Sequence, residues 1–440
     1  MNRKLIIFLM MITTLFVFAD SKEIEFVEYD LDNGLHVILH QDNSTPIVAV
    51  SIMYHVGSKN EDPERTGFAH FFEHLMFEGS DNIPRGDYFK IVQGNGGTLN
   101  ANTTFDRTFY YEVLPSNQLK LGLWLESERL LHSKIDSIGV ETQRKVVKEE
   151  RSQRYDNQPY GSILEELFKR AYKVYPYSWT PIGSVQYIDL ASIDEFINFY
   201  KTYYVPQNAT LSIAGDIDID QAKEWIDEYF SGIPKGTLKM NIPDVVEPPM
   251  TEEVRDTVYD NIQLPAVIES YRIPAQGTDD YYAINMLTTL LSGGQSSRIY
   301  KSLVDEKQLA LQAVSIPLAL EGEGQFITFG LANVGIDPKE VEDAMQIEID
   351  KVKNELISDK EFEKLRNQVE SNFVQQNSTD AGIAESLADY HVYFGDSNLI
   401  NTELERYMNV TKEDIKRVAN KYLGENQRVV LYYLPKSQQK

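Results

Sequence analysis

The chain repeats itself, and a repeat this long dictates two similar halves rather than one continuous fold. Glu195, Ile197, Tyr204 and Asn208 are matched by Glu413, Ile415, Tyr422 and Asn426, each 218 positions later. In both copies an amphipathic helix (Ile193–Tyr204; Thr411–Leu423) leads through a short turn into an apolar strand, Thr210–Ala214 or Arg428–Tyr432. The front ends correspond too: Pro46-Ile-Val-Ala-Val-Ser is similar to Pro265-Ala-Val-Ile-Glu-Ser at nearly the same offset.

Between the copies, the stretch from Ile233-Pro-Lys-Gly to Pro249 is rich in Pro and Gly, which disfavour helix and strand interiors. The reading is a first domain over 20–235, a linker over 236–255 and a second domain over 256–440. Strands are predicted at Val37–His40, Ile47–Tyr54, Thr98–Asn102 and Thr108–Val113. Helical periodicity follows at Leu119–Leu131, Val140–Arg154 and Ile163–Ala171. Strands clustered ahead of helices predict an α+β fold, each half an antiparallel sheet with helices packed on one face. The two halves are expected to form a concave shell.

Composition removes several kinds of chemistry. There is no cysteine, so disulfides, thiolate metal sites and cysteine nucleophiles are excluded, and any transition metal must sit on His and carboxylates. A net charge of −25 argues against a nucleic-acid partner. At the N-terminus, Arg3 and Lys4 precede an apolar run of 14 residues, Leu5 to Phe18, and Val17-Phe18-Ala19 offers a small-residue cleavage site. That run is short for a span of about 20 residues. Residues 1–19 therefore read as a signal peptide, against a buried helix or uncleaved anchor. The mature chain is expected in the periplasm or secreted, without a membrane span.

The segment that carries chemistry is His70-Phe71-Phe72-Glu73-His74. On a helix, His70 and His74 are i and i+4 and project from one face on adjacent turns, within reach of one metal ion. Glu73 falls at the edge of that face, where a carboxylate can reach a water at the metal without ligating the metal. Phe71, Phe72, Leu75, Met76 and Phe77 are available to bury the rest of the helix, and Thr66 and Gly67 lie at its start. Neutral imidazoles suit Zn²⁺, which in catalytic sites takes three protein ligands and leaves a position open. A carboxylate that accepts the water's proton and later returns it to the leaving amine completes a hydrolytic set. With 7 His in 440 residues, such a motif arises by chance on the order of 0.01 times per chain.

A third ligand must come from elsewhere. The predicted helix Val140–Arg154 carries Val146-Val147-Lys148-Glu149-Glu150-Arg151, with Val146 and Val147 read as facing inward. Glu150 lies on their side of the helix, but periodicity leaves Glu149 open as a competitor. His36, His40, His55 and His132 sit at or near strand and helix ends and are read as structural or surface residues.

Here the chain resembles a known family. Gly67-Phe-Ala-His-Phe-Phe-Glu-His-Leu-Met-Phe-Glu-Gly79 is similar to the active-site helix of the pitrilysin/insulinase zinc metallopeptidases, which include the mitochondrial processing peptidases. The resemblance continues through Gly96–Tyr110, Gln143–Arg151, Tyr175–Trp179, Pro181–Gly183, Tyr203–Asn208, Ala214–Asp216 and Leu291–Arg298. It implies that the third ligand of one Zn²⁺ per chain is Glu150, and that Glu73 is the general base. It further implies that Asn100 and Ala101 lie on an edge strand to which a substrate peptide adds as an extra strand. Gln143 falls where many relatives carry a carboxylate supporting the metal site.

One departure concerns the second half. Self-sufficient relatives carry an Arg and a Tyr seven residues apart there, whereas Val304 and Leu311 occupy those places, and Arg298 and Tyr300 are out of register. The second half has no histidine motif, and its one histidine is His391. The resemblance thus implies a zinc-dependent endopeptidase acting on peptides or unfolded polypeptides in an enclosed chamber. A homodimer, or a heterodimer with a homologous subunit carrying the Arg/Tyr pair, is the expected assembly. The alternatives are a peptide-binding or assembly subunit that keeps the fold without catalysis, and a purely structural zinc site.

Overall fold

The computed structural model describes residues 23–439; the signal-peptide reading of 1–19 lies outside them. Two sheets dominate. The first contains β1 (Val27–Asp30), β2 (His36–Gln41), β3 (Ile47–Tyr54), β4 (Thr98–Thr103), β5 (Thr108–Pro115) and β6 (Ala209–Gly215), in the spatial order β1-β2-β6-β3-β5-β4. The second contains β7 (Val254–Asp260), β8 (Ala266–Ile273), β9 (Ala310–Leu318), β10 (Gly324–Ala332) and β11 (Arg428–Pro435), in the order β7-β11-β8-β10-β9. Apart from β1, which the sequence did not suggest, the two orders are the same. Each sheet also has one parallel pair, β2 with β6 and β7 with β11, among otherwise antiparallel neighbours. The duplication seen in the sequence is therefore a duplication of topology, and both halves are α+β.

The helices of each half cover one face of their own sheet, as expected. The other face is covered by a helix from the opposite half. Ile383, Ala384 and Leu387 of the helix Asp380–Phe394 pack on Ile38, Ala49 and Ala214 of the first sheet. Reciprocally, Leu167, Phe168 and Ala171 of the helix Ile163–Ala171 pack on Ala266, Ile268, Val429 and Leu431 of the second. The two helices are equivalents under the repeat. This exchange explains why β3 (IVAVSIMY) is buried at every residue after the first: a strand covered on both faces reads as a continuous apolar run rather than an alternation.

The linker lacks helix or strand up to Glu253, and β7 begins at Val254, inside the region assigned to it. It is nonetheless anchored. The buried carboxylate of Glu247 accepts from the backbone N–H groups of Lys173, Val174 and Tyr175 at 2.8, 2.9 and 2.8 Å. Polar contacts also join the halves: Arg107 pairs with Glu385 at 2.8 Å and Asp389 at 3.2 Å, and His55 with Glu321 at 2.7 Å.

Candidate active site

The motif helix runs Phe68–Leu75 and is fixed at both ends. At its start, Gly67 adopts a left-handed conformation (φ 98°) that a side chain would strain, and a Cβ there would lie 3.0 Å from the Ile182 carbonyl oxygen. The buried Glu61 carboxylate takes up the free N–H groups of Gly67 and Ala69 at 2.9 and 2.8 Å, and the Trp179 indole N–H at 3.0 Å. Burial pushes Glu61 up to about 8 against the pull of these donors. Past the other end, the fully buried Arg129 donates to the Met76 carbonyl at 2.9 Å and pairs with Glu126 at 3.0 Å. Its guanidinium stacks over Phe77, Tyr88 and Tyr110, 4.4 to 4.9 Å from their ring centres. Phe71, Phe72, Leu75 and Met76 are buried as expected, and Phe77 turns partly into the cleft.

The third donor comes from the helix Ser137–Arg151, whose N-cap Asp136 accepts from Gly139 N at 2.8 Å. The predicted helix is thus shifted: it starts earlier and passes after Arg151 into a wider turn over Ser152–Asp156. Val147 is buried, but Val146, read as inward, is exposed and faces the cleft. The structure places the two glutamates differently. Glu150 Oε2 lies 3.0 Å from His74 Nε2 and 3.5 Å from His70 Nε2, while Glu149 is exposed and accepts from Gln153 at 2.6 Å.

His70, His74 and Glu150 therefore converge, with the two Nε2 atoms 3.4 Å apart and the imidazole planes at 83°. Two ligands about 2.05 Å from a tetrahedral Zn²⁺ stand about 3.4 Å from each other, so the triangle fits the ion. Burial, reinforced by His74, lowers His70 to about 4 and keeps its imidazole neutral, as a ligand requires. Arg154 Nη1 holds the other carboxylate oxygen of Glu150 at 2.7 Å. Gln143 does not reach a histidine; its amide donates to Glu78 at 2.6 Å, and His70 Nδ1 is buried without a partner.

Glu73 stands beside the triangle and accepts from the Thr103 hydroxyl at 2.6 Å. Burial raises its carboxyl above the ordinary range, against the Thr103 hydrogen bond. Thr103 ends β4, the edge strand of its sheet, whose outer side has no neighbour among the described residues. Asn100 and Ala101 lie on this strand opposite Tyr111 and Tyr110 of β5, and both line the same cleft of about 1000 Å³ as His70, Glu73, His74 and Glu150. The lining residues of this cleft belong to the first half. Val304 packs against the second-half core, Leu311 lies on β9, and Arg298 pairs with Glu361 at 3.0 Å. Thr103 and Arg154 were not singled out in the sequence, because nothing in their spacing says which carboxylate they meet.

Fold and cluster together define a class: a duplicated α+β protein with a His-x-x-Glu-His helix and a convergent glutamate in the first half only. Residues 36–182 match the insulinase family (peptidase family M16), and residues 191–369 match the peptidase M16 inactive domain. The chain is 30% identical over 408 residues to the zinc protease PqqE of Helicobacter pylori, covering 92% of each. It is 23% identical over 402 residues to an uncharacterized zinc protease of Rickettsia bellii, covering 89% of this chain and 93% of that one. Among solved structures, a protease from Helicobacter pylori superposes with a TM-score of 0.89 at 29% identity, covering 93% of this chain and all (100%) of the other. A peptidase M16 inactive domain from Pseudomonas fluorescens shares the fold, with a TM-score of 0.83 at 16% identity over 93% of this chain and 98% of that one. The chain belongs to the insulinase (peptidase M16) family.

Proposed function

We propose that the chain is a zinc-dependent endopeptidase that cleaves extended peptides or unfolded polypeptides in an enclosed chamber. The observation that carries this reading is the position of Glu73: beside the His70–His74–Glu150 triangle, outside it, and tied to the open edge strand through Thr103. His70, His74 and Glu150 would hold one Zn²⁺. When bound, the ion supplies Lewis-acid polarisation of a carbonyl and acidification of water. Glu73 takes a proton onto its carboxylate and returns it to the departing amine. The Thr103 hydroxyl fixes which oxygen of Glu73 faces the cleft. Asn100 and Ala101 present the backbone to which an extended peptide pairs, so that side-chain pockets set preference.

The chain acts as a homodimer or with a homologous subunit that supplies the Arg/Tyr pair; Val304 and Leu311 carry no donor for a substrate. It works after export, to a periplasm or outside the cell, which the N-terminal charge and apolar pattern support. No helix among the described residues is long and apolar enough to cross a membrane.

The test is Glu73→Gln in the purified mature chain, assayed alone and with any co-purifying homologous subunit. Peptide affinity and zinc content should stay near wild type while cleavage falls on the order of 10²–10⁴-fold. Undiminished cleavage would overturn the assignment. Zinc uptake with peptide binding but no cleavage by the wild type, in either assay, would favour a peptide-binding subunit instead.

A further inference from the structure

A second group of metal-ligating side chains lies at the contact between the halves, on the first sheet's β1 edge. Glu28 stands on β1, His36 on β2, and His391 on the exchanged helix Asp380–Phe394, and each offers a ligand atom within 4.8 Å of the others. Asp30 Oδ1 accepts from His36 Nδ1 at 2.8 Å, which leaves Nε2 as the ring atom that faces the other two side chains. That nitrogen is buried, makes no hydrogen bond, and faces Glu28 Oε2 at 3.4 Å. At 3.4 Å the pair is wider than a charge-assisted N–H···O bond of about 2.7–2.9 Å, so a proton on Nε2 does not close it and space remains for a cation between the two atoms. Their 3.4 Å separation is also the edge expected between two ligands of a tetrahedral divalent ion, about 3.4 Å. Glu28 is itself oriented, since Ser397 Oγ donates to the same Oε2 at 2.7 Å. The Asp30–His36 pair repeats the carboxylate–imidazole arrangement that commonly backs a ligating histidine.

We propose that Glu28, His36 and His391 form a second site for a borderline divalent transition cation of the Zn²⁺ type, separate from the His70–His74–Glu150 cluster, which ties the exchanged helix to the first sheet. The donor set, two imidazoles and a carboxylate, suits that class and leaves a position for water. The rings of His36 and His391 are stacked, with centroids 3.4 Å apart and planes at 6°. Parallel rings cannot both aim at one ion, so the ring of His391 turns about its Cβ–Cγ bond on binding. That turn gives the site a signature of its own. Because the ligands come from both halves, occupancy stabilises the folded chain in proportion to the logarithm of free metal over Kd.

The experiment is a Zn²⁺ titration of the full mature chain stripped with chelator, read by calorimetry and by metal content after desalting. Wild type should take up one equivalent more than His391→Gln and one more than Glu28→Gln, and His70→Gln should keep the site. Equal uptake by wild type and both variants overturns the proposal, whatever happens at the His70 cluster. Should His391→Gln fail to fold, Glu28→Gln, at the exposed end, still reports. The imidazole C–H resonances of His36 and His391 in the wild type give an independent reading: loss of the mutual ring-current shift on adding Zn²⁺ supports the site, and unchanged resonances overturn it.

Discussion

The hydroxyl of Thr103, the last residue of the open edge strand β4, donates to Glu73 Oε2 at 2.6 Å. One side chain thus couples the surface where a peptide backbone would pair to the carboxylate that would move its protons. A hydrogen bond to a charged group contributes about 1.5–3 kcal/mol. Thr103→Val, which keeps the shape and removes the donor, should therefore lower kcat by roughly 10- to 100-fold with zinc content unchanged. A variant with wild-type kcat would show that the bond does not matter to the chemistry.

Glu149 and Glu150 are adjacent in sequence but differ in surroundings. Glu150 reaches both histidines, and Glu149 reaches Gln153. Glu150→Gln should weaken zinc affinity by more than about 100-fold, since loss of a supporting residue alone typically costs 10- to 100-fold. Glu149→Gln should leave affinity unchanged. Competition with a chromophoric chelator measures both, and the reverse ranking would exclude the triangle as the metal centre.

What could be read from the sequence follows from how local each signal is. The histidine motif needs only helical spacing, and it lies where expected on Phe68–Leu75. The repeat between Glu195 and Glu413 announced two equal topologies because equal sequence patterns bury equal faces. Periodicity could not separate Glu149 from Glu150, since both flank the buried stripe of Val147, and it misplaced Val146, whose side the cleft leaves open. The exchange of helices was not legible. An apolar face on Ile163–Ala171 does not say which sheet it covers, and only the three-dimensional arrangement puts Phe168 against the second one. The same holds for His36 and His391. His36 read singly is a structural or surface histidine, His391 is merely the one histidine of the second half, and their juxtaposition across 355 positions has no sequence signature.

Arg129 holds the C-terminal end of the motif helix while fully buried, with Glu126 and three aromatic rings around it. Removing it would leave Glu126 uncompensated and the Met76 carbonyl without its donor. Breaking one partner of a buried pair costs about 3–5 kcal/mol. Arg129→Met, of similar length but apolar, should lose about that much stability in urea unfolding. A loss below about 1 kcal/mol would mean that packing against the rings holds the helix end without the charge or the donated hydrogen bond.

At the contact between the halves, Glu321 accepts from His55 at 2.7 Å and also pairs with Lys59, which in turn reaches Asp106 at 3.2 Å. Burial works against the charge on Glu321, but the His55 hydrogen bond and the Lys59 charge outweigh it and bring the carboxyl from 4.5 down to about 2. Between those values the unfolded chain binds a proton that the native chain does not, so stability rises with pH across the window. The contribution is complete above 4.5 and is lost as pH falls through about 2. Glu321→Gln should therefore be less stable than wild type at about pH 6, with the difference shrinking towards about pH 2. Solvent reaches part of the Glu321 side chain and screens the pair, so the difference should be smaller than for a pair as buried as Arg129 and Glu126. Urea midpoints for both proteins across this range measure it, and a gap that stays constant with pH would assign the effect to packing rather than to charge.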